Sequence, residues 1–459
     1  MPHTRTIECE LMVIGTGMAG NAAALFAANR GVSVVQAGIV SELIFASGFL
    51  DLMGVHPIQQ KRVWDDPWAA IDAVGQDIPG HPYAKLERKD IRDAFEEILS
   101  FFSSAGFHYS SYKNRNASVL TPVGTVKPTY CVPHTMWAGV QTMENRQPCL
   151  IVDIHGLKGF SARQITVMMK THWPEAYTAS ITFPDTDHLN EVYPEHMARA
   201  LELPSNREKL AKIIQPLINN RHVVGIPAIL GLYQTQDILT DLQEKIGVPI
   251  FEIPTMPPSV TGLRIKESFE KNLANMGVRL FMQKRVLGVN AIDSGKKFVL
   301  EVGDHKIDFK VLTQGIILAS GRFIGKGLHA DRKQIRETIF DLPVYQTWDR
   351  SRWHLKDFLD PNGHPINHSG LETDHLFRPI DRSGQPAFQR LFAAGSILAH
   401  QDWMRMKCGS GLAIATAYKA VDSFLKQIRT NNEAICSICS RHEKKDPLCP
   451  DRYRRHLNT

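Results

Sequence analysis

A glycine-rich turn near the N-terminus is the feature of this sequence that most constrains the fold. It lies within residues 8–36, which read ECELMVIGTGMAGNAAALFAANRGVSVVQ. Residues 11–14 form a short apolar run that is typical of a strand buried on both faces. Gly15, Gly17 and Gly20 follow at G-x-G-x-x-G spacing. Between a strand and a helix, in a unit of about 30 residues, this spacing indicates a phosphate-binding turn.

The three glycines have different physical tasks. The first allows a tight turn, the second lets a phosphate approach the backbone, and the third lets helix and strand pack closely. The alanine- and leucine-rich residues 21–29, followed by Gly31, predict a helix after the turn. A phosphate at its start would meet unpaired N–H groups near Met18 and Ala19 and the positive end of the helix dipole. We expect a nucleotide or flavin phosphate to bind here; a purely structural turn is the alternative.

One part of the dinucleotide fingerprint is missing from the second strand. An acidic residue about 20 positions after the turn usually bonds the ribose hydroxyls of the adenosine. The second apolar run, residues 32–35, ends instead in Gln36 and Ala37. Gln36 could hydrogen-bond a hydroxyl as a neutral group, without the strength of a charged acceptor. The sequence therefore supports a phosphate site better than an adenosine site.

The composition is that of an ordinary globular chain with room for two or three domains. It has 459 residues, of which 43% are apolar and 22% charged, so a large buried core is possible. The net charge of +6 is mild and the basic residues are spread along the chain, so nucleic-acid binding is not predicted. Such a charge suits a small anionic substrate or an acidic partner surface.

The sequence predicts no insertion into a membrane. No window of 18 or more residues is continuously apolar, and the nearest, residues 11–28, is the glycine-turn unit with Thr16 and Asn21. The N-terminal residues MPHTRTIECE have no apolar stretch after their single arginine, so no signal peptide is expected. Seven cysteines without a regular framework indicate a reducing cytoplasm.

Later segments again place small turns beside apolar runs. A Ser-Gly pair interrupts residues 41–52, and small turns follow apolar runs near residues 320 and 395. A glycine-rich entry then leads into an alanine-rich helix over residues 412–429. Such turns offer backbone donors to a phosphate-bearing ligand, although on local grounds Ser47 is equally a helix N-cap. The predicted contacts are Ser47, Gly48, Ser320, Gly321, Gly395, Ser396, Gly409, Ser410 and Gly411.

A series of motifs along the chain resembles one flavoprotein family. They read GTGMAG, FASGFLDLMG, TPVGTVKPTY, IHGLKGF, PTMPPSVTGLRI, ILASGRFIGKGLHADRKQIRE, and LFAAGSIL followed by KCGSGLAIATA. In this order they are similar to the B subunit of the anaerobic glycerol-3-phosphate dehydrogenase, over about residues 8–428. The likeness is specific, because other flavoproteins share the first and last motifs but not PPSVTGLR or GLHADRKQIRE.

The resemblance implies a flavin-binding role in a respiratory complex. It implies oxidation of sn-glycerol 3-phosphate to dihydroxyacetone phosphate, with electrons passing toward quinone. The implied partners are the FAD-binding catalytic A subunit, which oxidises the substrate, and the iron–sulfur, membrane-associated C subunit, so that the chain is cytoplasmic and peripheral to the inner membrane. The implied cofactor is FMN, with FAD as the alternative. One departure is Ser396, where FAD relatives more often offer an acidic side chain to the flavin ribityl.

The fold class expected from the motifs and the resemblance is α/β. It consists of a Rossmann-like FAD- or FMN-binding domain of the glutathione-reductase type with an inserted α+β cap or substrate domain. The middle of the chain is proline-broken and rich in β-formers from Thr121 onward, and so does not continue a simple nucleotide-binding fold. We assign residues 8–120 and 281–430 to the flavin domain, 121–280 to the insert and 431–459 to a C-terminal tail.

Alcohol oxidation by a flavin requires a base for the hydroxyl proton, and a phosphorylated substrate requires one or two cations. Nothing in the sequence brings the candidates to a common point, and nineteen histidines make chance candidates common. The catalytic base therefore stays unassigned. The candidate bases are His81, His155 and His400, and the candidate phosphate-binding residues are Arg264, Arg322 and Arg336.

The tail carries Cys436, Cys439, His442 and Cys449. The C-x-x-C spacing suits half of a metal or iron–sulfur site, but a charged terminus more often holds incidental cysteines. We therefore predict no metal site.

Three functions remain open. The chain is the electron-transferring flavoprotein subunit of the complex, a stand-alone flavin oxidoreductase on another small substrate, or a scaffold that kept the fold and lost its flavin. Gln36 and Ser396 are the residues that make the third function conceivable.

Overall fold

The computed structural model describes residues 5–39, 42–219 and 222–442. The strands are β1 Arg5–Ile14, β2 Val34–Gly38, β3 Tyr109–Ser110, β4 Ala117–Leu120, β5 Val126–Thr129, β6 Val132–Pro133, β7 Cys149–Ile154, β8 Ala176–Ile181, β9 Val223–Pro227, β10 Ile250–Ile253, β11 Arg279–Met282, β12 Arg285–Ile292, β13 Lys297–Gly303, β14 Ile307–Leu318, β15 Leu328–Ala330, β16 Ile335–Glu337 and β17 Leu391–Ala393. The α-helices are α1 Met18–Asn29, α2 Pro67–Asp77, α3 Arg88–Ser104, α4 His134–Glu144, α5 Ala162–Met169, α6 Pro194–Leu201, α7 Pro204–Ile214, α8 Thr235–Ile246, α9 Val260–Asn275, α10 Trp403–Met406 and α11 Gly409–His442.

A seven-stranded sheet forms the centre of the first domain. Its parallel part has the order β11-β2-β1-β14-β17, in which β17 pairs with the C-terminal end of β14. The N-terminal half of β14 pairs with β13, and β13 pairs with β12, so these three strands form an antiparallel meander. The last four residues of β1 are buried, because the carboxyl half of a parallel strand is covered on both faces. The buried strand predicted at residues 11–14 is therefore confirmed, although the strand begins earlier, at Arg5.

Helix α1 packs tightly between this sheet and α11. Ala22, Ala23, Ala24 and Ala27 are fully buried, and their small side chains let the helix approach its neighbours closely. The helix ends at Asn29, before Gly31 takes a φ of +73°. Both the helix and its glycine end agree with the sequence prediction.

The parallel sheet with its meander confirms the predicted Rossmann-like flavoprotein fold. The chain enters the sheet with β1, α1 and β2, leaves it, and returns with β11 and the later strands up to β17. The first and last parts of the chain therefore contribute strands to one sheet. Among the residues that the structure describes, no helix is both long and apolar enough to cross a bilayer.

A second sheet lies in the insert. Its strand order is β10-β9-β7-β8 and every pairing is parallel. Helices α5 to α8 lie between its successive strands in the sequence, and β7, β9 and β10 are almost wholly buried. The insert thus has an α/β layer of its own, where the sequence led us to expect an α+β arrangement. Two short antiparallel pairs, β3–β6 and β4–β5, accompany it, and β3 and β4 precede the expected boundary at residue 121.

Helix α9 joins the two domains. Ser259 caps it by accepting a hydrogen bond from the Gly262 N–H at 2.9 Å, as serine often does at the start of a helix. The apolar side chains of Ile265 and Phe269 belong to the core of the first sheet, and the chain continues from α9 into β11 of that sheet. We therefore propose that the insert ends near Ser259, earlier than the boundary at 280 expected from the sequence.

A buried ion pair ties α9 to the second sheet. The Arg264 guanidinium donates to both carboxylate oxygens of Glu252 at 2.7 and 2.8 Å, and its Nε donates to the Gly231 carbonyl at 2.8 Å. Glu252 also accepts from the Thr135 hydroxyl and the Leu230 N–H, each at 2.7 Å. Burial alone would raise the pKa of Glu252, but Arg264 and these hydrogen bonds outweigh burial and hold that pKa below its usual value.

Replacing Arg264 by methionine leaves the buried Glu252 carboxylate without its cation. We expect the free energy of unfolding to fall by about 3–5 kcal/mol, the usual cost of breaking a buried pair. Denaturant unfolding followed by far-UV circular dichroism measures this change. The double variant Arg264→Met with Glu252→Gln removes the stranded charge and should regain part of the loss.

The matched control is Arg336→Met, because Arg336 forms a half-exposed pair with Asp331 at 3.5 Å. Loss of such a surface pair is expected to cost less than about 1 kcal/mol. An Arg264→Met protein as stable as the Arg336→Met protein would contradict the assignment.

Candidate functional site

The carboxyl ends of four parallel strands meet at one edge of the first sheet. β1 ends at Ile14, β2 at Gly38, β14 at Leu318 and β17 at Ala393, and the paired registers place these ends side by side. Ligands of open α/β sheets bind outside this edge, where loops from neighbouring strands converge. The glycine turn and the turns near residues 320 and 395 therefore reach the same place.

Two of the three turn glycines are required by close packing. Gly15 has a φ of +125°, and a Cβ there would lie 2.1 Å from the Ala319 carbonyl oxygen. A Cβ on Gly20 would lie 2.2 Å from the carbonyl oxygen of Gly15. Both contacts are shorter than any side chain tolerates, so these positions hold the turn against β14 and the helix against the turn.

Gly17 differs, because the space beside it is open. A Cβ there would meet no atom within 4 Å, although Gly15 and Gly20 on either side are tightly packed. Gly17 precedes α1 and its carbonyl accepts the first intrahelical bond, from Asn21 N–H at 3.0 Å. The N–H groups of Met18 and Ala19 lie in the first turn, where a helix has no intrahelical acceptors for them. The open space beside Gly17 at the start of α1 is the Gly17 cradle, and a side chain at this position would occupy it.

Gln36 does not reach this opening. Its Nε2 donates to the Gly15 carbonyl and to Asn21 Oδ1, both at 2.9 Å, and the residue is fully buried. The expectation that Gln36 contacts an adenosine ribose is therefore corrected, because Gln36 lies inside β2 and supports the glycine turn from beneath. The residue that ends β2 is Gly38, where a Cβ would lie 2.7 Å from Thr16 Cγ2.

The predicted turns near residues 320 and 395 border the start of α1. The hydroxyl of Ser320 is buried and has no hydrogen-bond partner in the described part of the chain. Gly321 and Gly395 take φ values of +70° and +78°, which favour glycine. A Cβ on Gly395 would lie 2.6 Å from Ala19 Cβ, so the Gly395–Ser396 turn touches the first turn of α1.

The Ser47–Gly48 segment enters no helix, so the N-cap alternative for Ser47 is wrong. It follows a short 3-10 turn and leads to an isolated bridge at Leu50. Gly48 has a φ of +89°, and its carbonyl accepts from the Tyr109 hydroxyl at 2.8 Å. The preceding Ala46 carbonyl accepts from the Ser259 hydroxyl, so α9 holds this segment in place.

The glycines at the start of α11 are largely occupied by packing. The Gly411 N–H donates to the Asp51 carbonyl at 2.7 Å, and the Asp51 N–H donates to the Ser410 hydroxyl at 2.6 Å. A Cβ on Gly411 would lie 2.5 Å from the Asp51 carbonyl oxygen, and one on Gly409 would lie 2.8 Å from the Trp403 ring. These residues therefore join α11 to residues 49–51, and the Gly411 N–H is not free for a ligand.

The three candidate histidines do not converge. His81 is fully buried, its Nδ1 accepts from the Tyr83 N–H at 3.2 Å, and burial lowers its pKa to about 3, so it is neutral near pH 7. His400 pairs with Glu372 at 2.8 Å and lies against Gly80, next to His81. His155 lies in the insert, 3.4 Å from the Ser180 hydroxyl.

The three candidate arginines are already engaged. Arg264 is held by Glu252, as described above, and Arg336 pairs with Asp331. Arg322 donates to the carbonyls of Asn367, Leu398 and Gln401, and burial lowers its pKa to about 10. Arg264 is therefore no ready phosphate-binding group, whereas Arg322 keeps a buried Nε without a partner among the described residues and Arg336 stays half-exposed beside Asp331.

Sequence reasoning missed three charged residues that lie together where the domains meet. Asp51 accepts from the Thr129 hydroxyl and from the Lys127 ammonium, each at 2.7 Å, and Lys407 lies next to them. All three lie inside the motifs FASGFLDLMG, TPVGTVKPTY and KCGSG. The motifs were a signal for them, but lysine and aspartate within loops carry no spacing pattern that marks a site.

No group of three or more histidine, cysteine or acidic residues suited to a metal ion occurs among the described residues. Cys436, Cys439 and His442 lie in the last turns of α11, where the structure describes no side chains, and Cys449 lies outside the described residues. The prediction about the tail therefore stays a prediction.

The family described as FAD binding domain matches residues 10–412 of this chain. Curated relatives, each named as the B subunit of anaerobic glycerol-3-phosphate dehydrogenase, match over almost their whole length. The protein from Vibrio cholerae is 29% identical over 428 residues, which cover 91% of this chain and 96% of the relative. The protein from Yersinia pseudotuberculosis is 26% identical over 433 residues, covering 92% and 99%.

Solved structures of flavoproteins are also similar, more remotely. A 3-ketosteroid delta1-dehydrogenase from Sterolibacterium denitrificans has 11% identity and a TM-score of 0.41, covering 92% of this chain and all of that one. A flavocytochrome c3 fumarate reductase has 10% identity and a TM-score of 0.42, covering 92% and 79%. At this distance the similarity adds nothing to the family match.

Gly17 and Gly20 are expected to respond differently to substitution. Gly17→Leu fills the open cradle and should abolish flavin retention, whereas its effect on unfolding should stay within about 0.5 kcal/mol, since the backbone there suits any residue. Gly20→Ala forces a clash with Gly15 and should destabilise the domain itself. Flavin absorbance per chain after gel filtration and denaturant unfolding separate the two effects.

The control is Gly75→Ala in α2, where the nearest atoms to a new Cβ are at an ordinary 3.7 Å. It should keep the flavin and should not destabilise the chain, because alanine favours helix. Full flavin content in the Gly17→Leu protein would refute the cradle.

Proposed function

Because the chain belongs to the family of the FAD binding domain, we propose that it is the flavoprotein B subunit of an anaerobic glycerol-3-phosphate dehydrogenase complex. Such a complex oxidises sn-glycerol 3-phosphate to dihydroxyacetone phosphate and passes the electrons toward quinone. The observation that carries the proposal is the open Gly17 cradle at the helix start, between two glycines that packing requires. Relatives of that name match 90% or more of this chain.

The residues at the strand ends fit a flavin phosphate. The Gly17 cradle leaves room for the phosphate, and the N–H groups of Met18 and Ala19 and the helix dipole favour its negative charge. Ser320 adds a buried hydroxyl without a protein partner in the described chain, and the Gly395–Ser396 turn borders the same space. When bound, a flavin would supply hydride acceptance and onward transfer of single electrons. The chain's own part is to bind and orient it and to keep water from it.

We prefer FMN over FAD as the cofactor. The adenosine half of FAD usually needs an acidic side chain at the end of the second strand. β2 ends in Gly38, which has no side chain and lies against Thr16, and the Gln36 amide is used beneath the glycine turn. Groups suited to a phosphate are thus present at the glycine turn, whereas β2 does not end in the acidic side chain that an adenosine ribose usually needs.

The partners we propose are the FAD-binding catalytic subunit of that complex and its iron–sulfur subunit, which is attached to the membrane. Arg264 is held by Glu252, and His400 is a neighbour of His81, which is fully buried, so this chain is better suited to electron transfer than to the main substrate oxidation. Electrons for quinone must reach the bilayer, and we assign that attachment, on the cytoplasmic side, to the partner subunits.

Heat-released cofactor from the purified chain should be FMN and should not be covalently bound. Separation on a reversed-phase column against FMN and FAD standards identifies it, and the ratio of flavin to protein absorbance gives the occupancy. FAD would overturn the preference for FMN and leave the flavoprotein proposal standing. A colourless, flavin-free protein would refute the flavoprotein proposal and favour the scaffold.

The chain alone should oxidise sn-glycerol 3-phosphate slowly, and co-expression with both partner subunits should restore turnover with an artificial electron acceptor. We expect a difference of at least roughly 100-fold, the scale expected when positioned catalytic groups are absent. The control combines the two partner subunits without this chain, and it should not pass electrons to a quinone analogue. Fast turnover by the isolated chain would indicate the stand-alone oxidoreductase instead.

A further inference from the structure

Backbone hydrogen bonds join three segments from different parts of the chain where the insert meets the first domain. Residues 49–55 bond to residues 406–411 through the Gly54 and Val55 N–H groups, which both donate to the Met406 carbonyl. On their other side, Leu50 and Cys131 exchange N–H···O bonds at 3.0 Å. These hydrogen bonds place Asp51, Lys127 and Lys407 beside one another.

Lys127 and Asp51 form a pair that crosses the domain boundary. The Lys127 ammonium lies 2.7 Å from one carboxylate oxygen of Asp51, and the Thr129 hydroxyl donates to the other at 2.7 Å. Their side chains keep 20% and 12% exposure, so the pair is accessible from solvent. Asp51 therefore fixes the position of Lys127, whose side chain remains partly exposed to solvent.

Lys407 brings a second cation to the same place without an anionic partner of its own. In the part of the chain that the structure describes, its ammonium has no hydrogen bond or ion pair. Gly54 lies between Lys407 and Pro128: a Cβ added to Gly54 would be 2.9 Å from Lys407 Cβ and 2.9 Å from Pro128 Cγ. Lys407 is therefore a neighbour of the segment that contains Lys127. Burial and the charge of Lys127 lower the pKa of Lys407, against the opposing charges of Asp51 and Asp402.

The backbone of Lys407 is also unusual. It has a φ of +53° where α10 ends, in the left-handed region that glycine or asparagine normally occupies at a helix end. A lysine is costly in this conformation, and residues held there against preference cluster at ligand sites. The half-buried ammonium without a partner among the described residues is the observation that points to a ligand.

We propose that Lys407 and Lys127 bind the phosphate of a small phosphorylated alcohol at the domain boundary. Lys127, Lys407 and Arg405 stand against the carboxylates of Asp51 and Asp402, so a net positive charge remains for a dianion, which bridges the two lysines with charge-assisted hydrogen bonds. Asp51 orients Lys127 and offers an acceptor to a ligand hydroxyl. The site adjoins Ser410, which accepts from the Asp51 N–H, and it lies between the segments assigned to the flavin. The inference rests on the proposed function and adds a phosphate site on this chain, separate from the substrate-oxidising site that we assign to the partner subunit.

Isothermal titration calorimetry on the full, flavin-loaded chain tests this, with sn-glycerol 3-phosphate, inorganic phosphate and glycerol as probes. Lys407→Gln should weaken binding of both phosphate-bearing probes by roughly tenfold or more, as expected when one charge-assisted contact is lost. Glycerol should show no measurable binding to either protein. Lys407→Arg should regain part of the affinity, and flavin absorbance per chain should stay at the wild-type value in both variants.

Lys310→Gln is the matched control, because it removes the same charge from a half-exposed lysine whose partner is Glu301 on the meander. It should bind both probes as the wild type does. Unchanged binding by Lys407→Gln would overturn the site, and so would joint loss of flavin and phosphate binding, which would assign Lys407 to the flavin.

The outcome is separable from that of the proposed function. Phosphate binding that depends on Lys407, in a chain whose complex fails to oxidise sn-glycerol 3-phosphate, supports the site and refutes the function. Binding of neither phosphate-bearing probe by the wild-type chain, with the complex active, refutes the site and leaves the function standing.

Discussion

The contact between Gly15 and the Ala319 carbonyl is the constraint on which the rest of the first domain depends. It brings the turn after β1 against the end of β14 at a distance that no side chain permits. Once these strand ends touch, the Gly20 contact draws α1 onto the turn, and Gln36 bonds the turn from below. The open position at Gly17 is what remains when its neighbours are packed this tightly. The proposed phosphate site thus lies between two positions at which close packing excludes a side chain.

A second constraint holds the insert to that domain. Arg264 reaches from α9 to Glu252 of the second sheet, while the opposite face of α9 packs in the first core. The start of α9 also bonds the segment before Ser47. The same helix therefore positions the insert and a loop assigned to the flavin. An arginine that looks free for a phosphate in the sequence is in fact structural, because desolvation makes an unpaired charge at that depth too costly.

The candidate polar residues fall into two classes, those that already bond the protein and those that do not. Arg322 is bound to backbone carbonyls and His81 is neutral and enclosed, so both hold loops near the strand ends together. Lys407 has no such bonds in the described chain and stands beside the Asp51–Lys127 pair. A residue without an internal partner, held in a conformation that does not suit it, is better explained by a ligand than by stability. The phosphate site that we propose therefore uses lysines, where the sequence had suggested arginines.

The sequence by itself determined the strand–turn–helix unit and the small turns near residues 320 and 395. These follow from local rules: apolar period and glycine spacing act over a few residues and leave a pattern. Only the tertiary structure decided that Gln36 lies beneath the turn, that Arg264 pairs with Glu252, and that Asp51, Lys127 and Lys407 meet. Those contacts join residues far apart in the chain, and the partner of a charge depends on which distant segments burial brings together, which no local pattern records.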